Sequence, residues 1–161
     1  MLLLQCIVCC ALLAIVILPV QYRDPLSMVM SYPPQVIRRV EALPQYQGKI
    51  RQCEKAHIGR KIVGIVVLVA VFATVAYLSG CRSFGAAFRH VFILLFAVNV
   101  FDLVVLDWGV FCHSKKLRIS GTEDMDEAYR DRLFHLRGAA LGTALNLVVA
   151  LAAGGIVGLV G

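Results

Sequence analysis

The chain has 161 residues, 60% of them hydrophobic and 16% charged, with a formal net charge of +6. Soluble domains carry about 45–50% apolar and about 25% charged residues, so the composition speaks against a water-soluble globule and for lipid as the solvent of much of the surface. The basic residues flank apolar runs and are not interleaved with aromatics on a platform, which argues against nucleic acid and for anionic headgroups as partners.

Crossing about 30 Å of hydrocarbon takes about 20 helical residues. Four stretches meet that length, at roughly 2–20, 62–79, 91–111 and 136–160. The predicted fold is all-α: one integral membrane domain over 1–161, a four-transmembrane-helix bundle with a short interfacial amphipathic helix after the first span.

The first span has no Lys or Arg before its apolar run and no small-x-small cleavage site, so it is predicted to remain uncleaved. It carries "QCIVCC", with Cys6 and Cys9 in CxxC spacing. A redox-active pair needs a thiolate in an electropositive setting, and these neighbours are Leu, Ile and Val. The remaining cysteines, Cys10, Cys53, Cys81 and Cys112, complete neither a disulfide framework nor a zinc motif.

The following segment, 21–61, holds eight Lys or Arg, against two in 80–90 and six in 113–137. By the positive-inside rule the first and third connections are cytoplasmic and both termini lie outside. Within the first loop, "SYPPQVIRRVEALPQY" places Val36, Ile37, Val40 and Leu43 on one helical face. It predicts an amphipathic helix lying in the interface and ended by Pro44.

The third span contains "FDLVVLDWGVFCH", two acids in an apolar run. On an α-helix eleven residues return a side chain to nearly the same face about 16 Å further on. Asp102 and His113 have that separation, as do His135 and Asn146 in the fourth span. In an antiparallel hairpin of these spans, Asp102 and Asn146 fall at one depth with Asn99 beside them. Gly138 and Gly142 permit close helix approach. Asp102 is expected to be protonated and to bond Asn146 or Asn99 as interhelical glue. Asp107 lies about 140° around an α-helix from it, nearer the cytoplasmic end.

Asp107 therefore has His113 below it and Glu127, Asp131 and His135 ahead, the last three stacked at spacings of four. Carboxylates with histidines suit acid–base exchange or a metal, although the spacing matches no metal motif. Before them, Ser120 and Glu123 form a capping box, so the final helix is predicted to start near Thr122.

The pattern "VNVFDLVVLDWGVFCH", "ISGTED" and "AYRDRLFHLRG", covering about 99–142, resembles small multi-span bacterial integral membrane proteins of unassigned function. The resemblance implies a bacterial plasma membrane and no particular mechanism. No P-loop, GxSxG elbow or dinucleotide motif assigns a cofactor or a catalytic residue. The expected function is a polar site of Asp107, His113 and His135 at the cytoplasmic mouth of spans three and four, handling a proton, a cation or a lipid headgroup. The alternatives are a structural or accessory subunit, and a membrane enzyme using metal or thiol chemistry. Transport by so small a chain implies a homo-oligomer or a partner membrane protein.

Overall fold

The computed structural model describes the backbone of residues 1–161 and all side chains except those of 51–58 and 60. Cys53 and the basic side chains Arg51, Lys55 and Arg60 of the first loop lie outside the described side chains. Every regular element is helical: α1 (Leu2–Arg23), α2 (Pro34–Ala42), α3 (Lys49–Leu78), α4 (Phe84–Phe101), α5 (Asp126–Tyr129) and α6 (Arg132–Val160). A π-helical segment, Asp102–Phe111, continues α4 directly. Among the described residues four helices are long and apolar enough to cross a membrane, spanning Leu2–Arg23, Lys61–Leu78, Phe84–Phe111 and Asp126–Val160.

The four long helices alternate in direction. At one end, Gln5 of α1 donates to Ser79 Oγ at 2.8 Å, just past the end of α3. There the start of α4 packs on the end of α6, where a Cβ at Gly154 would lie 3.2 Å from the Phe84 carbonyl. The third helix begins seven residues before the expected Val91, because Ser83 Oγ accepts from Ala86 N and caps it. Sequence hydropathy missed that start because Arg89 and His90 sit in its second turn.

The central core joins α3, α4 and α6 through Ala76, Ala87, Val91, Leu94, Ala150 and Ala153. Small side chains on α6 let α4 approach closely. Asn99 reaches across and donates from Nδ2 to the Ala139 carbonyl and to Thr143 Oγ1, both at 2.8 Å. The expected Gly138–Gly142 pair divides here. A Cβ on Gly142 would meet Asn99 Oδ1 at 2.9 Å, whereas Gly138 faces open space. By contrast α1 has no fully buried residue, and Leu3, Ile7 and Ile15 point outward.

At the other end the loops fold into a cap with its own core. Tyr32, Phe111 and Tyr129 meet edge-on or tilted, with ring centroids 4.9–5.8 Å apart. Val36 and Val40 of α2 are fully buried against this cluster. The helix predicted to lie in an interface is therefore packed on protein by the same apolar face. Tyr129 Oη accepts from Ile119 N at 3.1 Å and pairs with Thr122 Oγ1 at 2.7 Å. Because Thr122 already donates to the Ile119 carbonyl, the tyrosine donates in that pair. Tyr32 Oη donates to the Leu117 carbonyl at 3.0 Å. Burial first, and then the neighbouring Tyr129, raises the Tyr32 phenol above its ordinary range, so it stays a donor.

Arg118 ties this cap to the bundle. Its buried guanidinium lies 4.0 Å over the Tyr129 ring, donates to the carbonyls of Phe111 and Cys112, and pairs with Asp126 at 3.2 Å. Those carbonyls close the π-segment, so one cation satisfies acceptors that the helix end leaves orphaned.

The expected capping box forms a turn instead. Glu123 accepts from Gly121 N at 2.8 Å, and Gly121 adopts φ +89 with Leu43 pressed against it. The short α5 follows, and α6 starts only at Arg132, where Asp131 accepts from Phe134 N at 3.0 Å.

Two substitutions check these contacts. Gly142→Leu and Gly138→Leu gain the same helix propensity, so their difference isolates packing. Gly142→Leu should be less stable by about 1–3 kcal/mol, the range for overpacking, in thermal denaturation in detergent; equal stabilities would contradict the α4–α6 contact. Tyr129→Phe leaves the Ile119 N–H and the Thr122 hydroxyl short of a partner. It should cost about 1–3 kcal/mol, with amide exchange of Ile119 accelerated.

Candidate functional site

The π-helical segment decides where the acids point. In an α-helix, residues five apart diverge by about 140°. An i→i+5 helix has wider turns, so Asp107 stands closer to the side of Asp102 than α-helical spacing would allow. The bond from Cys112 N to the Asp107 carbonyl at 2.9 Å shows that spacing directly.

Asp107 meets His135 across the α6 interface, Oδ2 to Nδ1 at 3.2 Å. The histidine side chain is 4% exposed and the aspartate 30%, so one partner is enclosed and the other opens to the outside of the bundle. Phe111 packs edge-on against the imidazole at 5.1 Å, and Phe134 at 5.3 Å. These rings hold its plane while Nε2 remains buried with no hydrogen-bond partner among the described residues. The nearby Trp108 Nε1 is likewise buried and unpartnered.

The other candidates fall elsewhere. His113 is exposed, and its Nδ1 donates to the Trp108 carbonyl at 2.8 Å, which closes the π-segment end and does not complete a histidine pair. The break at Arg130 and Asp131 removes the predicted stack of Glu127, Asp131 and His135. Asp131 becomes the cap of α6, and Glu127 sits exposed in α5. Among the described residues no group of three or more His, Cys, Asp or Glu side chains is placed to hold a metal ion.

The deeper polar residues converge without the expected Asp102–Asn146 bond. Asn146 Nδ2 donates to the Leu95 carbonyl at 3.2 Å, and both Asn99 N–H groups are used on α6. Asp102 has no hydrogen bond among the described residues. The three side chains instead line one cavity of about 480 Å³, whose other walls are apolar residues of α1, α3 and α4. Cys9 lies on that wall, and Cys6 packs on the adjoining core, both as free thiols. Sequence reading missed Thr143, Trp108 and Arg118 in their roles. For Thr143 a signal exists, since it stands four residues after Ala139 on the face turned toward Asn99.

Comparison of the chain with protein-family models, with curated proteins and with solved structures finds no match.

The two histidine-side contacts differ in energetic weight. His135→Phe removes the unpartnered Nε2 but also takes the Nδ1 partner from Asp107, which is only partly buried, so it should cost no more than about 1 kcal/mol, the low end for a lost partner. Asp131→Ala removes a helix cap and should cost about 0.5–2 kcal/mol. Paired melting curves in detergent check the order, and a larger loss for His135→Phe would make the histidine a structural element.

Proposed function

We propose that this chain is a multi-pass protein of a bacterial plasma membrane and that Asp107 and His135 form a proton-relay site at its cytoplasmic mouth. The membrane reading is supported by the four apolar helices and by the outward apolar face of α1. The basic excess of the first and third connections supports a cytoplasmic cap, with the opposite end of the bundle outside. Lys115, Lys116, Arg130 and Arg137 are exposed around the cap end of the bundle, a collar suited to anionic headgroups.

The relay rests on one observation: an enclosed imidazole with Nδ1 on a partly exposed carboxyl near the cap end of its helix and Nε2 unpartnered among the described residues. Two proton placements satisfy the 3.2 Å contact. Either Nδ1–H donates to the Asp107 carboxylate, or protonated Asp107 donates to Nδ1. With the second ring proton on Nε2, transfer from protonated Asp107 to Nδ1 gives an imidazolium–carboxylate pair and the reverse transfer restores the neutral pair; exchange of the Asp107 proton with cytoplasmic water then connects that water to the ring. Asp107 acts as the exchanging acid and base, because it alone of the pair is partly exposed. Carriage across the whole bilayer would take a second copy or a partner, since the pair occupies one end of the bundle.

Exchange of the imidazole protons tests the relay. In protein labelled with nitrogen isotope at histidine, the His135 ring N–H should exchange with deuterated solvent through Asp107. Asp107→Asn should slow that exchange by about 10²-fold or more, the lower range of acid–base assistance, while the melting temperature holds. Unchanged exchange in a folded Asp107→Asn protein would reduce the pair to a packing contact.

A further inference from the structure

The cavity beside Asp102 is separate from the Asp107–His135 contact. Its volume of about 480 Å³ falls within the range of small-molecule sites, about 300–1,000 Å³. Leu13 and Val16 of α1 face Leu68 and Phe72 of α3 across it, and Asn99, Asp102 and Asn146 gather on the α4 and α6 side. The lining is thus apolar over most of its area, with a carboxyl at one edge.

The polar edge is left with acceptors. Asn99 has committed both N–H donors to α6, and Asn146 donates to Leu95. Among the described residues the Asp102 carboxyl has neither a hydrogen-bond donor nor a salt-bridge partner. A carboxyl in apolar surroundings calls for a cation or a strong donor, and here the cavity leaves room for that group to arrive from outside the chain. An apolar body beside one acidic point complements a molecule with a hydrocarbon body and one cationic head.

We propose that this cavity binds a lipophilic amine, its chain between Leu13 and Leu68 and its ammonium group on Asp102. The site goes beyond the proton relay and does not depend on it, because His135 is not among the lining residues.

The test uses the full chain in phosphatidylcholine vesicles, with dodecylamine carrying a photoactivatable diazirine in its chain. Labelling should be saturable and should map to the α1 and α3 segments that include Leu13 and Leu68. Unlabelled dodecylamine should displace it, and dodecanol should do so at least about tenfold less well, since the alcohol lacks the charge. Asp102→Asn should weaken binding by at least about tenfold, Leu13→Trp should abolish labelling by filling the cavity, and His135→Phe should leave it intact. If Asp102→Asn does not fold, the wild-type competition between amine and alcohol decides. Equal displacement by dodecanol, or labelling of outward residues such as Leu3 and Ile7 to the same degree without saturation, would overturn the proposal and leave an ordinary lipid-chain groove. Unchanged imidazole exchange in Asp107→Asn, with amine labelling of the unsubstituted chain as expected, would refute the proton reading alone.

Discussion

One amide holds α4 and α6 in register. Asn99 directs both of its N–H groups onto α6, to the Ala139 carbonyl and the Thr143 hydroxyl. Interhelical hydrogen bonds between apolar spans average about 0.6 kcal/mol each, too little to hold a bundle by themselves. Their effect is positional: the close fit of Asn99 on Gly142 excludes other rotations of α4 against α6. Van der Waals contact among Ala150, Ala153, Gly154 and the start of α4 then provides the packing.

That register fixes the start of the π-segment, and Arg118 fixes its end. Between Asn99 and the Phe111 carbonyl the backbone takes wide turns. The consequence is that two acids five residues apart stand closer to one side than an ordinary helix would allow. One of them reaches His135 and the other lines the cavity. Wide turns within helices recur at functional positions for this reason, since they turn side chains that regular periodicity would scatter.

Much of this was legible in the sequence, and the failures have physical causes. Apolar run lengths located four helices because the requirement for about 20 apolar residues is strong and local. The amphipathic face of Val36 and Val40 was also legible, but not its partner, because tertiary packing on Tyr32 and Leu117 leaves no periodic trace. Asp107 and His135 were brought together correctly as neighbours. His113 was placed relative to Asp102 by α-helical spacing, which the π-segment invalidates after Phe101, whereas Asn146 keeps its α-helical position and misses Asp102 because it donates to the Leu95 carbonyl. The pattern Ser120–Glu123 reads as a helix start, yet Gly121 at positive φ and the cap at Asp131 delay it. Nothing in the sequence separates Gly138 from Gly142 until Asn99 is seen resting on one of them.

The same bonds that assemble the bundle determine its chemistry. Buried donors in the spans are few, and packing uses them: Asn99 on Ala139 and Thr143, Asn146 on Leu95, Gln5 on Ser79. What is left over is acceptor-rich at the cavity and nitrogen-rich at the mouth, where His135 Nε2 and Trp108 Nε1 stay unpartnered. An unmet buried polar atom costs about 1–3 kcal/mol, a sizeable fraction of the margin by which a domain is stable. Replacing His135 by an apolar residue would relieve that cost but leave Asp107 without its partner. The structure instead keeps a histidine between Phe111 and Phe134, with a carboxyl group on its other nitrogen. That combination, one nitrogen on an acid and the other buried without a partner, is the physical basis on which the proton-exchange proposal stands.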